Sequence, residues 1–488
     1  MSHKMMQEKD SIDYVEGEIL NDPERSHAAA SFEGLSEDEE KKLQKRLLRK
    51  VDLHLVASLF GLFIFNILDR SNIANARLGG LQKDLHLTDT QYQTAVSIMF
   101  VGYLLGQVPS NIFLTRVKPS RYIPVAILVW GGISLCTAAT HNFVGIFLVR
   151  FFLGFAESPF FSGALLLISS WYTPAEIAPR VAFMYCGNTV ANGFGGLLAA
   201  GVLKGMDGAG GLEGWRWLYI IEGGGTVLVG VIAFWLLPDF PNSGPKPWLT
   251  EQERRFAEWR LTRAAHDETD ENGPVKQAIK DALTDPKVWA LVLIQICLLS
   301  SQTWTYFFPT IVKTLGYGQV VTLLITAPVY FFGFFTALGN SLVAARTGKR
   351  AILIMWPLTV DIIGNIMVIA SHSTAVRYTG MFLMCAGSYS AFNVVQAWIG
   401  STIPRTRTKR AITYAMVNMF GNMSNIYGAY FFPSSSAPQF VSGGITLSSF
   451  ALGGICAAAA LGLYLRYLNK KATEQEKNDG VARYKFIY

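Results

Sequence analysis

Long uncharged runs, parted by short polar connections, dominate the chain from about residue 53 onward. A helix of about 18 apolar residues or more reaches across the ~30 Å hydrocarbon core of a bilayer. The pattern predicts twelve spans, at 53–73, 92–115, 122–140, 144–171, 181–204, 216–237, 288–308, 319–344, 351–370, 377–400, 411–432 and 443–467. A polar stretch over 238–286 divides them six and six. Several runs hold Gly or Pro, which membrane helices tolerate because their neighbours satisfy the freed backbone groups. The fifth run is rich in small residues (Gly187, Gly193, Gly195, Gly196, Ala199, Gly201). Such a face lets helices approach closely and suits helices that rock against one another.

The polar flanks have their own punctuation. Residues 1–35 are acidic and without period, which predicts a disordered tail. Ser36 and Glu39 have the spacing of a capping box, and Lys41, Lys42, Lys45, Arg46, Arg49 and Lys50 follow with leucines between them. These residues predict an amphipathic helix lying on the inner membrane surface and leading into the first span. Thr250 and Glu253 form a second box, opening a helix through Trp259 and Arg263. An acidic stretch (Asp267, Glu268, Asp270, Glu271) and a second amphipathic piece, 275–282, complete a linker with no catalytic role. The organisation is therefore a tail (1–35), the amphipathic helix with a first six-helix bundle (36–237), a linker (238–286), a second bundle (287–468) and a tail (469–488). The fold class is all-α integral membrane.

Composition narrows the function. Of 488 residues 51% are hydrophobic and 16% charged, against about 25% charged in soluble proteins. A soluble enzyme, a secreted disulfide scaffold and a nucleic-acid binder are excluded. The net charge of +7 is distributed by topology. One set of connections holds the 41–50 cluster, Arg116, Lys118, Arg121, Arg180, Arg346, Lys349, Arg350, Arg405, Arg407, Lys409 and Arg410; the other holds only Arg77, Lys83, Lys204, Arg216, Lys313 and Arg377. The positive-inside rule then puts both termini in the cytoplasm. No cleavable leader precedes the first apolar run, so a retained span directs insertion. All five cysteines fall within apolar runs without CxxC spacing, as small buried hydrophobes do. The one sequon, Asn422-Met423-Ser424, lies inside a span, out of reach of glycosylation. No GxxxxGK[ST], HExxH or GxSxG occurs and the seven histidines form no cluster, which argues against ATP-driven transport, enzymatic activity, a metal or an organic cofactor.

The informative residues are the ionisable ones within spans, because a charge at the bilayer centre costs ~2.5–3.5 kcal/mol even on insertion scales and marks ion or substrate pathways. Asp69 and Arg70 lie in the first span, Arg150 and Glu157 in the fourth. At 1.5 Å per residue, Asp69 sits roughly 24 Å above the inner face, Arg150 roughly 9 Å and Glu157 roughly 20 Å below the outer face. Asp69, Arg70 and Arg150 thus share one depth, with Glu157 near the midplane. Two acids and two bases form a neutral set, expected to gather in one hydrated cavity; the alternative is two static ion pairs that pin helices. An Arg there meets a carboxylate with two parallel hydrogen bonds, and an acid in a dehydrated cavity can load and unload a proton. Asn188, Asn192, Gln302, Tyr306, Asn393, Gln396, Asn418 and Asn422 are candidates to line the cavity, with interhelical hydrogen bonding as the alternative role. Glu222 lacks an evident partner and reads as structural, and Asp361 is left unassigned.

Two sets of six spans, a long middle loop and inward termini resemble the major facilitator superfamily, whose substrate site lies between two halves near the midplane. The resemblance narrows at Leu68-Asp69-Arg70-Ser71-Asn72-Ile73-Ala74-Asn75-Ala76, at Gly106-Gln107-Val108-Pro109-Ser110-Asn111 and at Arg150-Phe151-Phe152-Leu153-Gly154-Phe155-Ala156-Glu157. It continues through Ser170-Trp171-Tyr172, Gly214-Trp215-Arg216-Trp217 and Ile221-Glu222-Gly223. Together these motifs are similar to the anion:cation symporter family and its fungal allantoate permease branch, carriers of allantoate, nicotinate, pantothenate, biotin and related carboxylates. The resemblance implies that Arg70 contacts a substrate carboxylate, that Asp69 and Glu157 are protonated in turn, that Arg150 pairs with these acids, and that Asn188 reaches the substrate. The chain departs from the superfamily pattern in the loop between spans two and three, reduced to Arg116-Val117-Lys118-Pro119-Ser120-Arg121, while Ala345-Arg346-Thr347-Gly348-Lys349-Arg350 keeps the second-half counterpart.

The expectation is a monomeric importer in the plasma membrane, coupling a small organic anion to a proton by alternating access, with the proton as coupling ion and the lipid bilayer as its surroundings. Arg70, Asn188, Gln302, Asn393 and Asn418 would bind substrate; Asp69, Glu157 and Arg150 would serve proton coupling. Export of a biosynthetic metabolite is the rival within the transporter class. A non-transporting nutrient sensor is the rival outside it, weakened by the short tail after Arg466.

Overall fold

The computed structural model describes Phe32 and residues 36–114, 117–241, 244, 248–267, 275–403, 407–479 and 485–486. The expected tail over 1–35 lies outside the described residues except for Phe32 and so does most of the acidic stretch near 270. Described residues form helices and no strand. The first half consists of α1 (Glu37–Val51), α2 (Ala57–Leu78), α3 (Asp89–Leu114), α4 (Pro119–Cys136), α5 (Phe143–Trp171), α6 (Pro174–Gly205) and α7 (Gly214–Leu236). The linker holds α8 (Glu251–Asp267) and α9 (Val275–Thr284). The second half consists of α10 (Pro286–Ser301), α11 (Gln319–Thr347), α12 (Ile352–Ala370), α13 (Thr374–Thr402), α14 (Arg407–Gly428) and α15 (Val441–Asp479). The twelve predicted spans correspond to α2–α7 and α10–α15, so both chain ends return to one face of the bundle, here called the terminal face.

Local chemistry sets the boundaries. Ser36 Oγ accepts the Glu39 amide while the Glu39 carboxylate accepts the Ser36 amide, closing the box at α1. Asn142 Oδ1 accepts the Gly145 amide at 2.9 Å and starts α5, and Asp285 does the same for Lys287 at α10. α11 stops at Gly348, whose φ of +68° a side chain would disfavour. Outward-facing positions are apolar: Phe152, Leu228, Phe335, Ile445 and Leu463 are all more than half exposed, the surface expected against hydrocarbon rather than water. Among the described residues, eight helices are long and apolar enough to cross a membrane.

Two elements differ from the sequence reading. The seventh span is not one helix over 288–308. α10 gives way at Gln302 to a 3-10 turn (Gln302–Phe307) and a short helical piece (Phe308–Lys313). Ser300, Ser301, Thr303 and Thr305 hydroxyls donate back to main-chain carbonyls there, competing with the helical ladder as such residues do. The twelfth span continues as helix to Asp479, past the expected limit of 467, and Asn469 ties that extension to the backbone of Phe486 at 2.7 and 2.8 Å.

Close backbone approach within the first half rests on two glycines. A Cβ on Gly102 would stand 2.1 Å from the Phe151 carbonyl oxygen, and one on Gly154 would stand 1.9 Å from that of Met99. α3 and α5 can therefore touch main chain to main chain.

The linker is divided between the halves. α8 lies on the first half: Glu253 accepts Lys50 Nζ at 2.7 Å, Arg260 donates to Glu176 at 2.9 Å and to the Trp171 carbonyl at 2.7 Å, and Trp248 stacks on His54 at 4.6 Å. α9 packs on α14 of the second half, where Asp285 accepts Lys409 Nζ at 2.7 Å.

Near the terminal face each half has its own apolar core, one around Leu55, Leu59, Phe160 and Leu167, the other around Leu291, Ile294, Ile354 and Trp398. At the opposite face a single core runs through both, joining Ile73, Tyr92 and Trp215 to Trp304, Phe307 and Leu323. Gln319 Nε2 reaches the Leu78 carbonyl there at 2.8 Å, and the Thr94 and Tyr430 hydroxyls meet at 3.0 Å. The halves are thus closed together at that face. Nearer the terminal face, Tyr185 of α6 stacks on Phe392 of α13, ring centres 3.6 Å apart.

Candidate functional site: a cavity between the halves

Between the closed face and the Tyr185–Phe392 stack lies a cavity of about 110 Å³ walled by both halves. A dry pocket of about 150 Å³ holds benzene, so the space suits a small molecule. Phe63, Phe100, Tyr103, Phe161 and Tyr306 supply aromatic walls. Asparagine, glutamine, serine and threonine supply the polar ones. Arg70 is the single charged side chain among the described residues of the wall.

Arg70 is held on two sides. Its Nε donates to Glu157 Oε2 at 2.6 Å, and its guanidinium carbon lies 4.5 Å from the Tyr103 ring centre, a cation–π distance. Its side chain is 13% exposed and that of Glu157 is fully buried, so the base faces the cavity and the acid stands behind it. Glu157 Oε1 has no hydrogen-bond partner.

The other two expected charges lie outside this wall, which corrects the picture of four charges in one chamber. Asp69 and Arg70 are neighbours in sequence, about 100° apart around a helix. With Arg70 in the cavity, Asp69 turns to α4 and α7, where Ser134 donates to Oδ1 at 2.6 Å and Thr226 to Oδ2 at 2.8 Å. Arg150 is fully buried and donates only to main-chain carbonyls: Ala95 at 3.4 Å, Asp69 at 3.4 Å and Arg70 at 3.3 Å. It ties α5 to α2 and α3, closer to the pinning role than to a substrate contact.

Of the amide candidates, Asn188, Gln302 and Asn418 line the cavity and Asn393 does not. Asn393 Nδ2 instead approaches Cys186 Sγ at 3.6 Å, between α13 and α6. Gln302 sits at the break in the seventh span, its Nε2 donating to the Ser388 carbonyl at 2.6 Å. The remaining amides form a matched set. Asn192 Nδ2 donates to Asn188 Oδ1 at 2.8 Å on α6, and Asn422 Nδ2 donates to Asn418 Oδ1 at 2.6 Å on α14. With each leading oxygen occupied, the Asn418 NH2 can turn toward a ligand, while that of Asn188 donates to the Tyr185 hydroxyl on the same wall. The i, i+4 spacing of both pairs is visible in the sequence, but not their opposition across the cavity.

Sequence reasoning passed over Asn66, Tyr103 and Tyr185 on the wall. Asn66 stands one turn before Arg70, a usable signal, whereas the aromatic residues look like any apolar span position. Glu222 was read as structural, yet both its oxygens are buried without a hydrogen-bond partner. Asp361, in the second half, is buried with Asn365 Nδ2 at 3.3 Å from Oδ1 and no partner on Oδ2.

Comparison with known proteins agrees with this geometry. Residues 59–429 match the family described as Major Facilitator Superfamily. The chain is 34% identical over 448 residues to the MFS-type transporter cnsO of Penicillium expansum, covering 88% of this chain and 85% of that one. It is 30% identical to the major facilitator-type transporter hxnP of Emericella nidulans, covering 89% and 88%. Among solved structures, a bacterial homologue of the human lysosomal transporter Spinster, inward-facing and unoccupied, superposes with TM-score 0.63 at 16% identity, covering 85% of this chain and 94% of that one. The partially occluded inward-open xylose transporter XylE of E. coli gives 0.62 at 14% identity, covering 84% and 98%.

Proposed function

The chain belongs to the Major Facilitator Superfamily, and from a multi-pass membrane transporter working by alternating access we propose a symporter that moves a small organic anion together with a proton. The observation that carries this reading is Arg70: a lone guanidinium on the wall of a cavity shared by both halves, paired from behind with a buried acid. A cation in that position calls for an anion, and the planar fork of arginine fits a carboxylate. As the substrate carboxylate takes over the guanidinium, Glu157 loses its counter-charge. An unpaired buried carboxylate is costly, and taking up a proton removes that cost. Anion and proton then share the cavity with no change in its net charge. Asn188 and Asn418 would orient the remainder of the substrate from opposite halves, so that its binding draws the halves together.

The Lys and Arg distribution supports a cytoplasmic terminal face. With the opposite face closed and the Tyr185–Phe392 stack covering the cavity on the terminal side, parting that stack would open this conformer to the cytoplasm. Uptake of a panel of labelled carboxylates into cells, at acidic and neutral external pH, tests the reading. A substrate should emerge whose uptake rises in acid and is abolished by Arg70→Ala with the protein still in the membrane. Retained uptake in Arg70→Ala would refute the assignment.

A further inference from the structure

A second polar cluster lies behind α2, away from the cavity. Glu222 on α7 is 3% exposed and neither carboxylate oxygen has a hydrogen-bond partner. One turn toward the start of α7 the Tyr219 hydroxyl is fully buried and unpartnered; on α2, Asn72 is 1% exposed with both amide atoms unpartnered. One turn the other way along α7, Thr226 donates to Asp69. Asp69 of α2 and Tyr219 of α7 lie within electrostatic reach of Glu222, and Arg150 of α5 and Tyr92 of α3 within that of Tyr219. Arg216, further along α7, is engaged by Glu213 and by the carbonyls of Ala138 and Thr140.

Charge counting decides what such a cluster holds. With Arg216 set aside, since Glu213 neutralises it, the buried interior of the first half contains three carboxyl groups, Asp69, Glu157 and Glu222, against two guanidiniums, Arg70 and Arg150. Neutrality requires one proton. Glu157 has Arg70 as its partner and both Asp69 oxygens accept hydroxyl donors, which leaves Glu222 as the carboxyl with nothing to support a charge. Buried groups lacking protein partners are commonly bridged by internal water, which would connect Glu222 to Asn72 and Tyr219.

We infer that Glu222 is a proton-binding site, holding one proton in this conformer and exchanging it with Asp69 through bridging internal water. In the exchange the Glu222 O–H bond breaks and an Asp69 O–H bond forms, leaving Glu222 ionised, Asp69 neutral and the net charge unchanged. Asp69 also lies within electrostatic reach of Glu157, so the position of the proton in the cluster bears on the charge of the Arg70–Glu157 pair, apart from the substrate path between the halves. Its part in transport rests on the proton-coupled reading above; the occupancy of Glu222 does not.

Infrared spectroscopy of the purified full-length protein in lipid, without any substrate, reads protonated carboxyl groups from their C=O stretch. Glu222→Gln should remove one such band near neutral pH and Asp69→Asn should shift it. Asp361→Asn, which alters a buried acid of the second half, should leave it in place. Exchange into D2O should shift the band, because a relay must reach water. An unchanged spectrum in Glu222→Gln, or a Glu222 band that D2O leaves unmoved, would overturn the proposal. Either result leaves anion uptake and its dependence on Arg70 intact, whereas pH-independent uptake with the band present would count against symport alone.

Discussion

Gly196 offers a perturbation whose effect is confined to the contact between halves. A Cβ at that position would stand 2.5 Å from Thr326 Oγ1 and 3.0 Å from the Leu323 carbonyl oxygen, both on α11 of the opposite half. The threonine hydroxyl donates to that same carbonyl at 2.6 Å, so rotating it away forfeits a hydrogen bond, and the carbonyl belongs to the helix backbone. Gly196→Ala therefore forces α6 and α11 apart, with an overpacking cost of about 1–3 kcal/mol. That cost applies only while the halves are together at this point, so it shifts the balance toward conformers open there by about 5- to 150-fold. The assay is labelling of a Gln319→Cys reporter, in a background with the native cysteines replaced by alanine, by a membrane-impermeant maleimide added on the side opposite the termini. Residue 319 bridges to Leu78 in the closed contact, and the labelling rate should rise by that factor in Gly196→Ala. Gly201→Ala, where nothing lies within 4 Å, should change nothing. Equal rates in wild type and Gly196→Ala would refute the closure argument.

Other expectations follow from the same contacts. The Tyr185–Phe392 stack covers the cavity toward the terminal face. Such a pair contributes about 0.5–1.5 kcal/mol beyond burial, so Phe392→Ala should speed labelling of an Asn418→Cys reporter from that face by a few-fold to about tenfold. At the α1–α8 contact, burial pushes the Glu253 carboxyl up, but the Lys50 ammonium and the Thr250 amide and hydroxyl outweigh it and hold it below the usual carboxylate range. A depressed value means that the contact stabilises the docked linker fully above about pH 4.3 and loses that contribution as pH falls through the folded-state value. Hydrogen exchange of α8 should accelerate on acidification in the wild type, while Glu253→Gln should be fast at neutral pH and show no such step.

The architecture was legible in the sequence because membrane spans are written in composition. The twelve apolar runs and both capping boxes need only local information. The break at Gln302 was not legible, since hydroxyl residues that bend a helix also occur in straight ones. At the site, depth arithmetic placed Asp69, Arg70, Arg150 and Glu157 at matching heights, but depth says nothing about azimuth. The 100° between adjacent residues sends Asp69 behind the wall that Arg70 faces, and only the packing of α4 and α7 reveals what Asp69 meets. Arg150 reads in sequence as the partner of Asp69 and Glu157; its long side chain instead ends on carbonyls of α2 and α3. Glu222 reads in sequence as a structural acid without an evident partner; only the packed bundle shows that both its oxygens stay unpartnered when buried.

The central claim is that an anion on Arg70 releases Glu157 to take up a proton. Counting protons taken from a weakly buffered solution at neutral pH, as a transported carboxylate identified by the uptake panel is titrated into purified protein, tests it most directly. The account predicts about one proton per bound anion in the wild type and none in Glu157→Gln with binding retained. No proton uptake in the wild type, or undiminished uptake in Glu157→Gln, would contradict it.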